Sequence, residues 1–181
     1  LNMNLNRITL WQPFLDAAAG SAVLSAETKD VVTALFKRWR QRAYDEAFLE
    51  RLADVLVKTG DVRRAIILLE HQETQSPKTA LRLAILLKEV GEYETAESRF
   101  RELLARKVFA AAEPDQADLL LAAADNAFRM GDRELSRTRY QDVLQLLRGQ
   151  AQVLENIELC TRYLDAVGGA PDISPEDIDN V

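Results

Sequence analysis

An all-α solenoid of antiparallel helix pairs is the fold class that this sequence predicts, and three observations lead to it. Apolar residues recur at three- and four-residue spacing from about Ile8 onward, the period of amphipathic helices. Proline and glycine are scarce, five and seven in 181 residues, and β-branched runs are short, so strands are not expected. Most tellingly, residues 49–69, 80–100 and 120–140 align without gaps, each turning on a glycine at the same place. Self-similarity of this kind marks supersecondary units that bury their apolar faces by stacking.

Taken in chain order, residues 1–44 read as N-terminal helices, either a divergent repeat or a cap. An early helix includes residues 13–18, and a clearer one runs over 27–42 with Val31, Leu35, Phe36 and Trp39 on one face. Residues 45–150 hold the three aligned units. Their glycines lie in KTGDV (Gly60), EVGEY (Gly91) and RMGDR (Gly131), each followed by an acidic residue. A turn that needs positive φ between two helices explains glycine there.

Seven residues before each glycine stands an alanine, Ala53, Ala84 or Ala124. Five after it comes a small residue, Ala65, Ala96 or Ser136, and nine after it a bulky one, Leu69, Phe100 or Tyr140. Small residues on both helices let the pair approach closely, and the bulky residue fills the gap against the next unit. Leu52 with Leu56, Leu83 with Leu87, and Ala123 with Ala127 extend the buried stripe on each first helix.

This order of small, aliphatic and aromatic positions, with Pro77 seventeen residues after Gly60, resembles the tetratricopeptide repeat (TPR) family over about residues 45–150. The resemblance implies a right-handed superhelical solenoid whose first helices line a concave groove. The glycine intervals are 31 and then 40 residues, against a family period of about 34. An uneven stack is therefore expected, with a shortened link near 75–79 and a longer second helix or loop over 107–116. Residues 151–170, with Ile157, Cys160 and Leu164 on one side, read as a half-repeat or capping helix. Residues 171–181 read as an acidic tail, or as the start of a truncated helix capped at Ser174. The chain opens at Leu1 without an initiator methionine, as expected of a processed product or a piece of a longer protein.

Composition narrows the function. The longest apolar run, residues 119–124, is far short of the roughly 20 residues that cross a bilayer. A net charge of -6 disfavours broad capture of nucleic acid, which needs a basic surface to release counterions. Arginine outnumbers lysine 17 to 6, which reflects either a GC-rich genome or a surface built to grip carboxylates. The single cysteine, Cys160, and single histidine, His71, cannot assemble the usual zinc sets. His71 sits among Glu70, Gln72 and Glu73 in a solvated setting, and Cys160 reads as a small core residue. No phosphate-binding or metalloprotease motif is present, so neither an enzyme nor a cofactor is expected.

The expected activity is docking of another protein or peptide. By the resemblance, the partner-facing residues are first-helix positions turned away from the stripe. These are Glu50, Arg51, Asp54 and Lys58; then Lys78, Leu81, Arg82, Ile85, Lys88 and Glu89; then Asp118, Leu121, Asp125, Phe128 and Arg129. The core set is Arg51, Asp54, Lys58, Arg82, Ile85, Lys88, Asp125, Phe128 and Arg129. This gives cations over two units and acids around Phe128 on the third, suiting a peptide of mixed charge with an apolar anchor. Chaperone-binding relatives clamp a terminal carboxylate with Lys and Asn, but the matching positions here are Glu50, Asp54, Leu81 and Ile85, so that clamp is absent. Repeat style and arginine usage resemble bacterial TPR regions of exopolysaccharide-export or secretion assemblies, which implies a periplasmic scaffold, with a cytoplasmic location as the alternative. The competing function is a peptide-sensing regulatory domain controlling an attached effector.

Overall fold

In the computed structural model, which describes residues 8–39, 45–72, 76–109 and 114–148, every regular element is a helix. The order is α1 (Ile8–Gly20), α2 (Ala26–Arg38), α3 (Glu46–Lys58), α4 (Val62–Glu70), α5 (Pro77–Glu89), α6 (Tyr93–Arg106), α7 (Pro114–Arg129) and α8 (Arg133–Arg148). The half-repeat and tail expected after residue 150, Cys160 included, lie outside the described residues. The chain forms two units, divided between Thr79 and Ala80.

The three glycine turns are built alike. Gly60, Gly91 and Gly131 have φ of 84°, 85° and 82°. Each glycine N–H donates to the carbonyl three residues back, and the following acidic residue's N–H donates to the carbonyl five back. The latter bonds, Asp61 to Leu56, Glu92 to Leu87 and Asp132 to Ala127, measure 2.9, 2.9 and 3.0 Å. This pair of bonds is the Schellman ending, which satisfies carbonyls that the finished helix leaves free. The same local sequence therefore reverses the chain in the same way three times.

In the first unit, the starts of α2 and α3 are set by side-chain caps. Ser25 Oγ accepts from Thr28 N–H at 3.2 Å and Asp45 Oδ1 accepts from Phe48 N–H at 2.8 Å, each satisfying an orphan donor of the first turn. Helix α2 thus begins at Ala26, and residues 40–42 of the helix expected there lie outside the described residues. Its buried stripe is Val32, Leu35 and Trp39, an i, i+3, i+7 series. Val31 and Phe36, expected on that face, lie at its margins and are half-buried. Helix α1 packs on α3. The Arg64 guanidinium of α4 lies 5.5 Å from the Phe36 ring centroid, and the His71 ring meets Trp39 edge-on at 5.4 Å. Ser76 and Thr79, at the start of α5, bond back to α3: Ser76 N–H donates to Glu46 at 3.1 Å, and Thr79 Oγ1 to Glu50.

The columns of small and bulky residues are buried throughout. Ala53, Ala65, Ala84, Ala96, Ala124 and Ser136 are inaccessible or nearly so, as are Leu69, Phe100 and Tyr140. In the second unit Ser136 Oγ donates to the Ala124 carbonyl at 3.1 Å, so the two small positions of that hairpin meet directly. A larger residue at either would force the helices apart.

The uneven spacing has a different origin from the one expected for its first interval. Helix α4 has nine residues where α6 has 14 and α8 has 16, so the shortening lies in the second helix itself. The longer interval combines the longer α6 with a link that begins at Lys107, φ 47°. Phe109, two residues on, is buried.

Candidate docking face

The expected partner-facing cations are engaged within the chain. On α3, Arg51 Nε lies 3.0 Å from Asp16 Oδ1 of α1, and its Nη1 lies 3.6 Å from Asp54 Oδ2. Lys58 Nζ donates to the carbonyls of Ala19 and Ser21, the latter at 3.3 Å. An ammonium at carbonyls of a helix C-terminus meets the negative end of the helix dipole. Lys58 therefore closes α1 as much as it presents charge to solvent, and Arg51 bridges α1 and α3.

The second unit repeats the pattern. Lys88 Nζ of α5 donates to Asp125 Oδ2 of α7 at 2.7 Å, and Arg129 Nε approaches the same oxygen at 3.2 Å. Burial alone would push the Asp125 carboxyl up. Hydrogen bonds and charge from Lys88 and Arg129 outweigh it and hold the group below its usual range. The Arg129 guanidinium is in turn held above its ordinary value by Tyr93 and Asp125. Three candidate residues from two helices thus form one cluster with a net charge of +1.

The remaining candidates divide. Arg82 and Ile85 are half-buried on α5. Leu81, placed on the open face by helical position, is buried. It sits three residues from Ala84 and widens the stripe, since a buried leucine contributes about 2 kcal/mol over an exposed one. Leu121 packs against the α7–α8 core rather than standing clear of it. Glu89 and Lys78 are exposed, Asp118 is half-buried, and Glu50 is held by Thr79. Phe128 is 54% exposed, with Met130 at 37% two residues on. Both leave apolar surface open to solvent beside the charged cluster.

A second constellation lies beneath this face, and sequence reasoning missed it. Glu97 of α6 and Arg139 of α8, only 4% and 5% exposed, form a two-pronged ion pair with N–O distances of 2.5 and 2.7 Å. Arg139 also donates to the Ala123 carbonyl at 2.8 Å. Arg101 donates to Glu97 at 2.7 Å, and Asn126 Nδ2 donates to Glu97 at 3.3 Å and to the Tyr93 carbonyl at 3.1 Å. Burial would raise the Glu97 carboxyl, but Arg139, Arg101 and Asn126 together hold it below its usual range. The signal was available in the alignment. Glu97 stands six residues after its glycine, where the first unit has Ile66; Arg139 stands eight after, where it has Leu68. Asn126 stands five before, where the others have Val55 and Leu86.

His71 caps the end of α4, exposed, with Nδ1 2.9 Å from the Ile67 carbonyl. Among the described residues no three His, Cys, Asp or Glu side chains are grouped to hold a metal ion, and no helix is long and apolar enough to cross a membrane.

Comparison with solved structures supplies the architecture. The crystal structure of a kinesin light chain with nearly identical TPR-like repeats, from Podosopora anserina, superposes with a TM-score of 0.66 over 96% of this chain and 88% of that one, at 13% identity. The fold is TPR-like. No protein-family model matches the chain, and no curated protein matches it. At such low identity the TPR-like neighbour speaks for fold alone.

Proposed function

We propose that this chain is a non-catalytic scaffold that docks another protein or peptide on the first-helix face of its second unit. The observation that carries the reading is the exposure of Phe128, 54%, on α7 beside Arg129 and the Lys88–Asp125 pair. An aromatic anchor next to an arginine is the pairing most enriched among residues that dominate binding energy. Arg82 and Ile85 on α5 extend this face, and Arg51, Asp54 and Lys58 form the corresponding surface of the first unit. Repeat scaffolds of TPR-like fold use such surfaces for partners, not for catalysis. The N-terminal pair α1–α2 is read as a divergent repeat ahead of the three regular ones.

The setting proposed is a bacterial envelope assembly for exopolysaccharide export or secretion, supported by repeat style and the arginine-rich composition. A photo-crosslinking residue placed at 128 in the native host tests both statements. Attachment to an envelope-assembly protein is the expected result, with a control label at Gln145 of α8 giving none. Equal labelling from both sites, or from Gln145 alone, contradicts the docking face; attachment only to cytoplasmic proteins contradicts the setting.

A further inference from the structure

The buried group beneath the docking face has a role of its own. One turn of α7 reaches every other described helix of the second unit. Asp125 takes Lys88 from α5, Asn126 takes the Tyr93 carbonyl and Glu97 from α6, and the carbonyls of Ala123 and Ala124 take Arg139 and Ser136 from α8. The columns that hold Glu97, Asn126 and Arg139 are apolar and buried in the first unit, at Ile66, Val55 and Leu68. A purely apolar core tolerates repacking and loses a unique arrangement before it loses stability. A two-pronged ion pair does not, since a shift of one turn, about 5.4 Å, leaves two charges buried without partners.

The geometry points to Glu97, Asn126 and Arg139 as an acid-released register key, a polar lock that selects one packing of α6, α7 and α8. Its purpose is arrangement, and stability is secondary. Desolvation of the two ions offsets much of their attraction, so an apolar replacement of matched size packs at no loss of stability. The choice among packings is then lost. The groups facing Glu97 are Arg101 on its own helix, Asn126 and the Tyr93 carbonyl, and Arg139 from α8. All the charged ones are guanidinium groups, which keep their charge in acid. Protonation of Glu97 therefore leaves Arg139 without a counter-ion and opens the key from one side only. The register of α7 against α6 also positions Phe128, so the key sets the shape of the surface above it.

The test is a distance measurement between spin labels at Ser98→Cys on α6 and Gln141→Cys on α8, in the full chain carrying Cys160→Ser. With the key intact at neutral pH, one narrow distance is expected. In Glu97→Leu with Arg139→Met, the melting temperature should be equal or higher, while the distance broadens or splits. A narrow, unchanged distance in that double variant overturns the proposal. So does its failure to fold, because a key that only selects among packings is not needed for folding. Acidification of the unsubstituted pair supplies an independent reading: the distance should broaden while helical circular dichroism persists. A distance that stays narrow until the helix signal itself is lost overturns the acid release.

Discussion

Lys88 Nζ of α5 lies 2.7 Å from Asp125 Oδ2 of α7, and the next residue along α7, Asn126, bonds to α6 instead. Two adjacent side chains thus hold both helices of the preceding pair. The cations read from sequence as a free basic groove are consumed in such ties. What stands beside Phe128 is a cluster of net charge +1, so the proposed docking rests more on the aromatic side chain than on charge.

Replacing Lys88 by methionine should therefore weaken folding more than an exposed ion pair would. The side chain is mostly buried and Asp125 keeps only Arg129 as a partner. A loss of about 1–2 kcal/mol is expected, between the values for exposed and fully buried charged bonds. Urea unfolding monitored by circular dichroism measures it, and an unchanged midpoint contradicts the tie.

The three turn glycines should respond equally to substitution. A Cβ at Gly60, Gly91 or Gly131 meets nothing within 4 Å, so the cost of alanine is backbone strain alone. Each Gly→Ala change should destabilise by about 1–2 kcal/mol, with asparagine costing less at all three. A markedly larger loss at one site would show that its glycine serves packing as well as the turn.

Glu97→Gln should be far more damaging than the apolar double replacement. It leaves the buried Arg139 guanidinium without a counter-charge, at a cost of about 3–5 kcal/mol. The pH dependence follows with it. Glu97 and Asp125 are both held below their usual range in the folded chain. Their stabilisation is present at neutral pH and disappears as the pH falls through the carboxylate range to their lower folded values. Unfolding curves from pH 7 to 2 should slope less steeply for Glu97→Gln than for the unsubstituted chain; parallel curves contradict the assignment.

Lys58→Ala should loosen the end of α1 without disturbing α3, because the lost bonds are to the Ala19 and Ser21 carbonyls. Amide exchange should accelerate in α1 near residues 17–20 and stay unchanged in 52–56. Uniform acceleration across both helices contradicts a capping role.

Much of this arrangement was legible in the sequence because three copies reveal which positions repeat. The glycines, the small pairs such as Ala124 with Ser136, and Phe100 or Tyr140 at the bulky column all behave as their spacing implies. Reading only the shared columns also hid the key. Glu97, Asn126 and Arg139 stand in columns that are apolar and buried in the first repeat, at Ile66, Val55 and Leu68, and a charged residue in a helix reads as a solvated face unless its partner 42 residues away is known. Leu81 and Leu121 were misplaced because helical position gives a direction but not the width of the buried stripe, which follows from the neighbouring helices. The short α4 left no mark that distinguishes a helix from the polar link after it.

Docking through α7 is tested most directly by paired capture from the native host. The chain is compared with Phe128→Asp combined with Met130→Asp, and with Gln141→Glu combined with Gln145→Glu on α8, all three first shown to melt alike. The account predicts one protein partner retained by the original chain and by the α8 variant and lost, at least tenfold, from the α7 variant. The same partner recovered equally from all three, or lost only with the α8 changes, would contradict it.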